Sequence, residues 1–559
     1  WQFDTYTDTN GSGNQILLAH PGQNLSDINN SVDTPVLGNV IGTTTASAIG
    51  VFTIAATLNS TTTVTVASTT QIGAGQVVTG TGIPSSTTVT VVNNATTFTI
   101  SNAATLTGSS TLTIDNQISV SGGVVVLHPY VFVYGNAGLL RNCSAGNIND
   151  WVSADANEVN VATGKIVQGL PVRGGTTSPS GLFWSIDSLI RVSYTPTTVN
   201  SGGTTSTLYW RYDLISSQSS ILSSQSVIEY DGIYYWCGVD RFLMYNGVVK
   251  EIPNPFNQNY FFDNLNYDQR EKVFVTKVPR FGEVWWFYPK GSSTECNDAI
   301  IYNIRENCWY DAGEALGSRR SDGYFSQVFH YPINADWNVN ATGGVNLYTI
   351  TNAGTGYTNG TYTYNNLVGG AGTGAQASFT VAGGVVTNFT ITARGLNYVV
   401  GNTLTISLAT AGTPFSITLT YVMSYVSLYQ HEFGTDAIQG VVATAIESYF
   451  ETNDLGWVSG GPAQNSPVGE NRWLRIERVE PDFVQTGTMQ CYVTGRPFAQ
   501  AADKVSDAYD FTPTTNKIDM REQRRELRLK FVSNVQGGDY QLGKVIVNAE
   551  LGDVRGYNS

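Results

Sequence analysis

Charge comes in blocks along this chain, and that pattern restricts its fold more than any motif does. From Thr34 to Ile114 there is no Asp, Glu, Lys or Arg, and from Trp337 to His431 the only one is Arg394. The remaining residues carry charge at close to the level of an average domain. Two foreign modules therefore sit inside an otherwise ordinary chain. Within them apolar residues alternate with threonine, as in Val64-Thr65-Val66, Thr88-Val89-Thr90-Val91 and Phe98-Thr99-Ile100. A period of two in β-branched residues is the pattern of strands and excludes helix, so each module is expected to be a small sandwich. Each module also repeats. Val64, Val66, Ser68 and Ile72 match Phe98, Ile100, Asn102 and Leu106 in the first, and Gly354-x2-Tyr357-x2-Gly360 recurs as Gly395-x2-Tyr398-x2-Gly401 in the second. Two copies indicate duplicated hairpins, too few for a solenoid.

The rest of the chain reads as hairpins of bulky residues. Val227–Tyr230 and Ile233–Trp236 flank Asp231-Gly232, a pair suited to the positive φ of a two-residue hairpin turn. Arg241–Tyr245 and Val248–Ile252 flank Asn246-Gly247, Glu271–Val275 and Glu283–Tyr288 flank Arg280-Phe281-Gly282, and Ala299–Tyr302 leads on to Cys308-Trp309-Tyr310. Short strands in consecutive meanders suggest propeller blades, with a sandwich or barrel as competitor. Asn266-Tyr-Asp-Gln269 fits the capping box of one short linking helix. After Gly440, longer alternating segments (Ala445–Phe450, Arg472–Arg478, Thr488–Val493, Glu526–Val532) predict a separate antiparallel sheet domain.

Composition narrows the function. The 559 residues suffice for three to four domains, and with 13% charged residues and 58 glycines the chain is neither coiled coil nor collagen. The net charge of −14 argues against a static nucleic-acid binder, which needs a Lys/Arg surface, though not against DNA sliding past. Five cysteines without a CxxC pair are expected to be reduced and buried. The segment after Trp1 has no basic or apolar run and no window approaches ~18 consecutive apolar residues, so we expect no signal peptide and no membrane span, and because the first residue is not Met we expect the true N-terminus upstream of Trp1.

Signals of catalysis are poor. The four histidines (His20, His128, His330, His431) lie far apart and read as structural or surface residues, and no nucleophile elbow or phosphate loop is present. Glu283 beside Trp285-Trp286, and Asp311 with Glu314 after Trp309-Tyr310, resemble parts of a glycosidase carboxylate pair but read more simply as carboxylates at strand ends. The one basic run, Arg521–Lys530, is read as a single strand with Leu527, Leu529 and Phe531 inside. Its Arg521, Arg524, Arg525, Arg528 and Lys530 are the interface candidates. We expect no catalytic residue, no cofactor and no metal site.

The order of the aromatic strings is familiar. Asp240-Arg-Phe-Leu-Met-Tyr-Asn-Gly247, Glu271-Lys-Val-Phe274, Glu283-Val-Trp-Trp-Phe-Tyr-Pro289, Tyr302-Asn303 and Trp309-Tyr310 resemble those of tail nozzle or tail hub proteins of short-tailed bacteriophages. Glu447-Ser-Tyr449, Pro481-Asp-Phe483, Arg525-Glu-Leu-Arg528 and Tyr540-Gln-Leu-Gly543 are similar to that family's closing sheet. The resemblance covers 120–335 and 440–559; the neutral inserts depart from it. It implies a β-propeller plus a C-terminal antiparallel sheet platform; with the two small inserted sandwich-like modules read from their alternation, the expected fold is all-β. The divisions are 1–33 (start of the propeller region), 34–114 (insert), 115–339 (blades), 340–422 (insert) and 423–559 (return to the propeller, then the platform). It also implies a virion tail component assembled in the host cytoplasm. This would be a homo-oligomeric ring, usually six copies, below the head-to-tail adaptor, carrying tail fibres or tailspikes and meeting genome DNA only in transit, with no stable membrane binding. Because 27 acidic and 16 basic residues precede Gly440, the ring's lumen is expected to be acidic, with the basic strand turned to subunit or adaptor contacts. The competing expectations are a propeller-based glycan-binding adhesin and, third, a hydrolase.

Overall fold

The computed structural model describes residues 2–7, 15–20, 36–39, 47–118, 120–172, 178–201, 204–254, 258–313, 318–325, 331–336, 341–425, 428–439, 442–456, 472–497 and 500–554. The chain is nearly all β. It divides into two compact units, Trp1–Asp311 with Ser321–Tyr324, and Ala312–Arg320 with Phe325–Ser559. Among the described residues no helix is long and apolar enough to cross a membrane.

Among the described residues the first unit contains five four-stranded antiparallel meanders, each with its strands in chain order. Their first strands are Gln2–Thr7, Gly123–Leu127, Ile166–Pro171, Val227–Tyr230 and Phe274–Val278. Both faces of the inner sheets are buried. In the second meander Val124 and Val126 enter a core with Tyr6 and Leu18 of the first, while Val125 and Leu127 enter a core with Ile166 and Phe183 of the third. Leu182 and Trp184 then meet Tyr234 and Trp236 of the fourth, and Tyr235 and Cys237 on its other face meet Trp286 and Tyr288 of the fifth. A strand buried on both sides needs apolar residues at every position. That is why Ile233-Tyr-Tyr-Trp236 and Val284-Trp-Trp-Phe287 do not alternate. The Asp231-Gly232 turn forms with φ of 50° and 79°.

The predicted linker helix is a 3-10 segment, Tyr267–Lys272, whose cap Asn266 accepts from the Asp268 amide at 3.2 Å. Glu271 and Lys272 therefore precede the strand instead of opening it. An α-helix at Gln258–Asn264 was not foreseen.

The first insert differs from a sandwich. Its strands form one six-stranded sheet over Val51–Asp115, and backbone bonds between Gly75–Val78 and Thr87–Val89 join its two end strands, so the sheet closes on itself. Closure removes the exposed edges that a two-sheet arrangement would leave. Leu58, Val64, Phe98, Leu112 and Ile114 fill the interior, and Thr53, Thr57, Thr63 and Thr65 face out. The duplicated positions Val64 and Phe98 lie directly opposite one another. The insert also begins later than its charge pattern suggests, because Val36–Asn39 and Ser47–Ala48 belong to the first meander. Charge marks solubility, whereas strand pairing marks the boundary.

In the second unit, Ala341–Tyr425 forms another single six-stranded sheet, not a sandwich, whose first and last strands lie side by side. The two Gly-x2-Tyr-x2-Gly copies are used alike. Gly354 and Gly395 both have positive φ, and a Cβ on either would meet the tyrosine of its own copy at 2.5 and 2.7 Å. The Tyr357 amide donates to Gly384 O and the Tyr398 amide to Gly343 O, so equivalent tyrosines bond to glycines outside the two copies that are related by the same offset as the tyrosines. Both tyrosines are buried with their hydroxyls accepting backbone amides, of Phe415 and Ala375 respectively. Beyond this sheet, two antiparallel layers pack face to face. Leu474, Ile476, Ile518 and Met520 of one meet Cys491, Val493, Leu527, Leu529 and Phe531 of the other.

Candidate interface strand and buried polar clusters

The basic run is not one strand. Ile518–Arg524 and Glu526–Ser533 belong to different sheets and meet at Arg525. The inward positions explain the break: Ile518 and Met520 are even-numbered, Leu527, Leu529 and Phe531 odd, and a single strand has one phase.

Most of the five candidates face partners within the chain. Arg528 approaches Glu451 at 3.6 Å and Asp454 at 3.4 Å and bonds to Asp503. Arg496 extends the same network to Asp454 at 3.3 Å and Glu526 at 3.2 Å. Arg524 pairs with Glu522 at 2.8 Å, Arg525 lies 4.0 Å from Glu526, and Lys530 sits 4.0 Å over the Tyr449 ring. Arg521 is exposed. The result is a face of alternating sign, which offers few cations for consecutive phosphates. Isolated half-exposed pairs contribute little, but Arg528 keeps three carboxylates from repelling one another. Arg528→Ala is expected to cost about 1 kcal/mol, a fall of roughly 2–4 °C in Tm. The difference should shrink at high salt, and salt-independent loss would point to packing instead.

The carboxylates near aromatics are engaged structurally. Glu283 accepts from Trp285 Nε1 at 2.9 Å through one oxygen and from the Tyr310 hydroxyl through the other. Burial, and then the Glu283 carboxylate, raise the Tyr310 pKa. Asp298 is fully buried and 3.1 Å from Lys290 Nζ. Burial, and next the Asp311 carboxylate, push Asp298 up to about 6, with Lys290 acting in the opposite sense. Glu314 lies outside the described residues.

Four cysteines are buried as expected, but Cys308 is exposed at the end of a meander. Burial pushes the thiols of Cys143 and Cys491 up to about 12. His128 is exposed, His330 lies outside the described residues, and nothing is described of the His20 side chain. His431 has a specific partner that sequence reading missed. Arg320 Nε donates to His431 Nε2 at 2.7 Å, and the guanidinium lies 4.6 Å from the centre of the Tyr429 ring. Burial, and next the Arg320 charge, pull His431 down to about 3. The two partners stand 111 residues apart with the second insert between them, so no local motif could have joined them. Among the described residues no group of three or more His, Cys, Asp or Glu could hold a metal ion. No family model matches this chain, and no curated protein matches it.

Proposed function

We propose that this chain is a structural protein of the tail nozzle of a short-tailed bacteriophage, forming a ring around the DNA exit channel beneath the head-to-tail adaptor. The observation that carries the reading is the stacking of consecutive meanders. The first strand Gln2–Thr7 lies beside Gly123–Leu127, which lies beside Ile166–Pro171, and Val227–Tyr230 lies beside Phe274–Val278. Asp4 accepts from the Val126 amide at 2.8 Å across one of these seams. First strands side by side, with successive sheets packed face to face, favour propeller blades over a sandwich or closed barrel. The aromatic strings of the nozzle resemblance fall on the fourth and fifth of these meanders.

In this reading the face-to-face layers after Gly440 are the platform, six copies form the ring, and tail fibres or tailspikes attach outside. Acidic residues line the lumen and repel duplex DNA, which carries one negative charge per ~1.7 Å of axis, so the genome slides without sticking. The basic run, split between two sheets, is left for contacts between proteins, and no catalytic group is required. Electron microscopy of the purified protein, with mass measured in solution, tests the proposal. Sixfold rings are expected, and a strictly monomeric mass at micromolar concentration overturns it.

A second reading, a glycan-binding adhesin, is favoured by one feature of the first insert. A cavity of about 220 Å³ is lined by Phe52, Ile54, Ser68, Thr70 and Gln71, an aromatic ring with uncharged hydroxyl and amide groups. Binding of the intact chain on a glycan array, lost in Phe52→Ala, would support it.

A further inference from the structure

The third meander carries a feature that its own sheet does not use. Its last two strands, Leu189–Ser201 and Thr204–Ser216, are 13 residues each, but the neighbouring strand Ser180–Ser185 pairs only with Leu189–Ser193. Past the register shift between Tyr194 and Thr197, among the described residues, they continue as a two-stranded ribbon without a third strand, with Thr197 opposite Leu208 and Val199 opposite Ser206. Residues 195–200 and 207–208 are all exposed. The base of the ribbon, by contrast, is clamped. Trp210 is buried with its ring 4.9 Å from Tyr130, 4.8 Å from Phe132 and 5.4 Å from Tyr194.

An isolated two-stranded ribbon is marginal in water, because it has no third strand and buries no apolar face. Native proteins usually guard such an edge with lysine or other charges. Here there is no Asp, Glu, Lys or Arg between Arg191 and Arg211. Val199 and Leu208, 39% and 59% exposed, lie on one face of the ribbon, and Thr198, Asn200 and Thr207 on the other.

We propose that this ribbon is the surface by which one copy of the chain grips the next. Charge selects that occupant. Copies of net charge −14 repel, so they meet most favourably through uncharged surface. A cationic partner would be drawn to carboxylates and a nucleic acid to Lys or Arg, and the ribbon has neither. A contact of this kind, made by the ribbon of one copy on a different surface of the next, closes into a ring when repeated about an axis. The inference rests on the ring reading above and assigns its subunit contact.

The test uses the full chain in two variants. In one, Pro196–Thr207 is replaced by Asn-Gly; in the other, Val199→Asp is combined with Leu208→Asp, which keeps the ribbon and charges one face. Sedimentation and thermal unfolding are measured on both and on the parent, and hydrogen exchange of the ribbon amides is followed in the parent and the Asp variant. The parent should assemble with those amides protected. Each variant should unfold like the parent but associate roughly 100-fold more weakly, and the Asp variant should exchange its ribbon amides freely. Assembly of unchanged strength in both variants overturns the ribbon contact and leaves the ring intact. A monomeric parent overturns both. Ribbon amides that become protected only when a different virion protein is added overturn the choice of a second copy.

Discussion

Lowering the pH from 7 to 4 will cost the fold about 3 kcal/mol through His431 alone. The sign follows from which form the fold holds. Arg320 donates to His431 Nε2, so that nitrogen must keep its lone pair, and a proton there would set two cations against each other with one of them buried. The folded pKa is pulled down to about 3, against about 6.5 in the unfolded chain. Between those values the unfolded state binds the proton and the folded state does not. The stabilisation is therefore complete above pH 6.5 and is lost as pH falls toward 3. Asp336 bears on the same guanidinium and partly offsets its burial. Asp298 contributes the opposite slope: its folded pKa is raised to about 6, so its burial costs most above that pH and is relieved on acidification. Substituting His431→Gln isolates the histidine, because the amide oxygen still accepts from Arg320 and does not titrate. Thermal unfolding of parent and variant should agree within about 1 kcal/mol at pH 7 and diverge below pH 6, with the variant the more stable. Parallel pH profiles would show that His431 is protonated in the fold without penalty.

Replacing Phe242 with Ala will destabilise the first unit by about 3–5 kcal/mol. Phe242 is fully buried and packs between two meanders, its ring centre 5.1 Å from Phe261, 5.1 Å from Trp286 and 4.7 Å from Trp309. Truncation removes those contacts and leaves a void bounded by large rings held in separate elements, which have little freedom to collapse together. The comparison is Leu243→Ala, since Leu243 faces the other side of the same strand and packs with Trp184 and Trp236. If sheets are stacked face to face, both substitutions should lower Tm strongly, each disturbing a different seam. A tolerated Phe242→Ala would mean that the seam between the fourth and fifth meanders carries little of the stability.

The strands and their turns were legible because they are local. Asp231-Gly232 must take positive φ wherever it joins two strands, and the Thr alternation of residues 63–66 has only one way to put Val64 and Val66 on the same side. Tyr357 and Tyr398 could be matched because duplication leaves an identical spacing, and the structure gives them equivalent amide bonds, to Gly384 and Gly343.

What the sequence by itself determined, then, is an all-β chain of meanders interrupted by two neutral β inserts. The tertiary structure decided whatever depends on pairing between distant residues. It closed the first insert into a single sheet by joining Gly75–Val78 to Thr87–Val89, and it broke the run Arg521–Lys530 into two sheets at Arg525. It supplied Arg528 with Glu451, Asp454 and Asp503, which lie 25 to 77 residues away, and so tied a basic motif into a network in which carboxylates outnumber cations. It also brought Arg320 to His431 across a whole inserted module. Backbone preference and side-chain periodicity act over a few residues and can be read in order. Electrostatic partners and sheet closure are set by which strands come to lie side by side, and that choice is made by the buried cores as a whole.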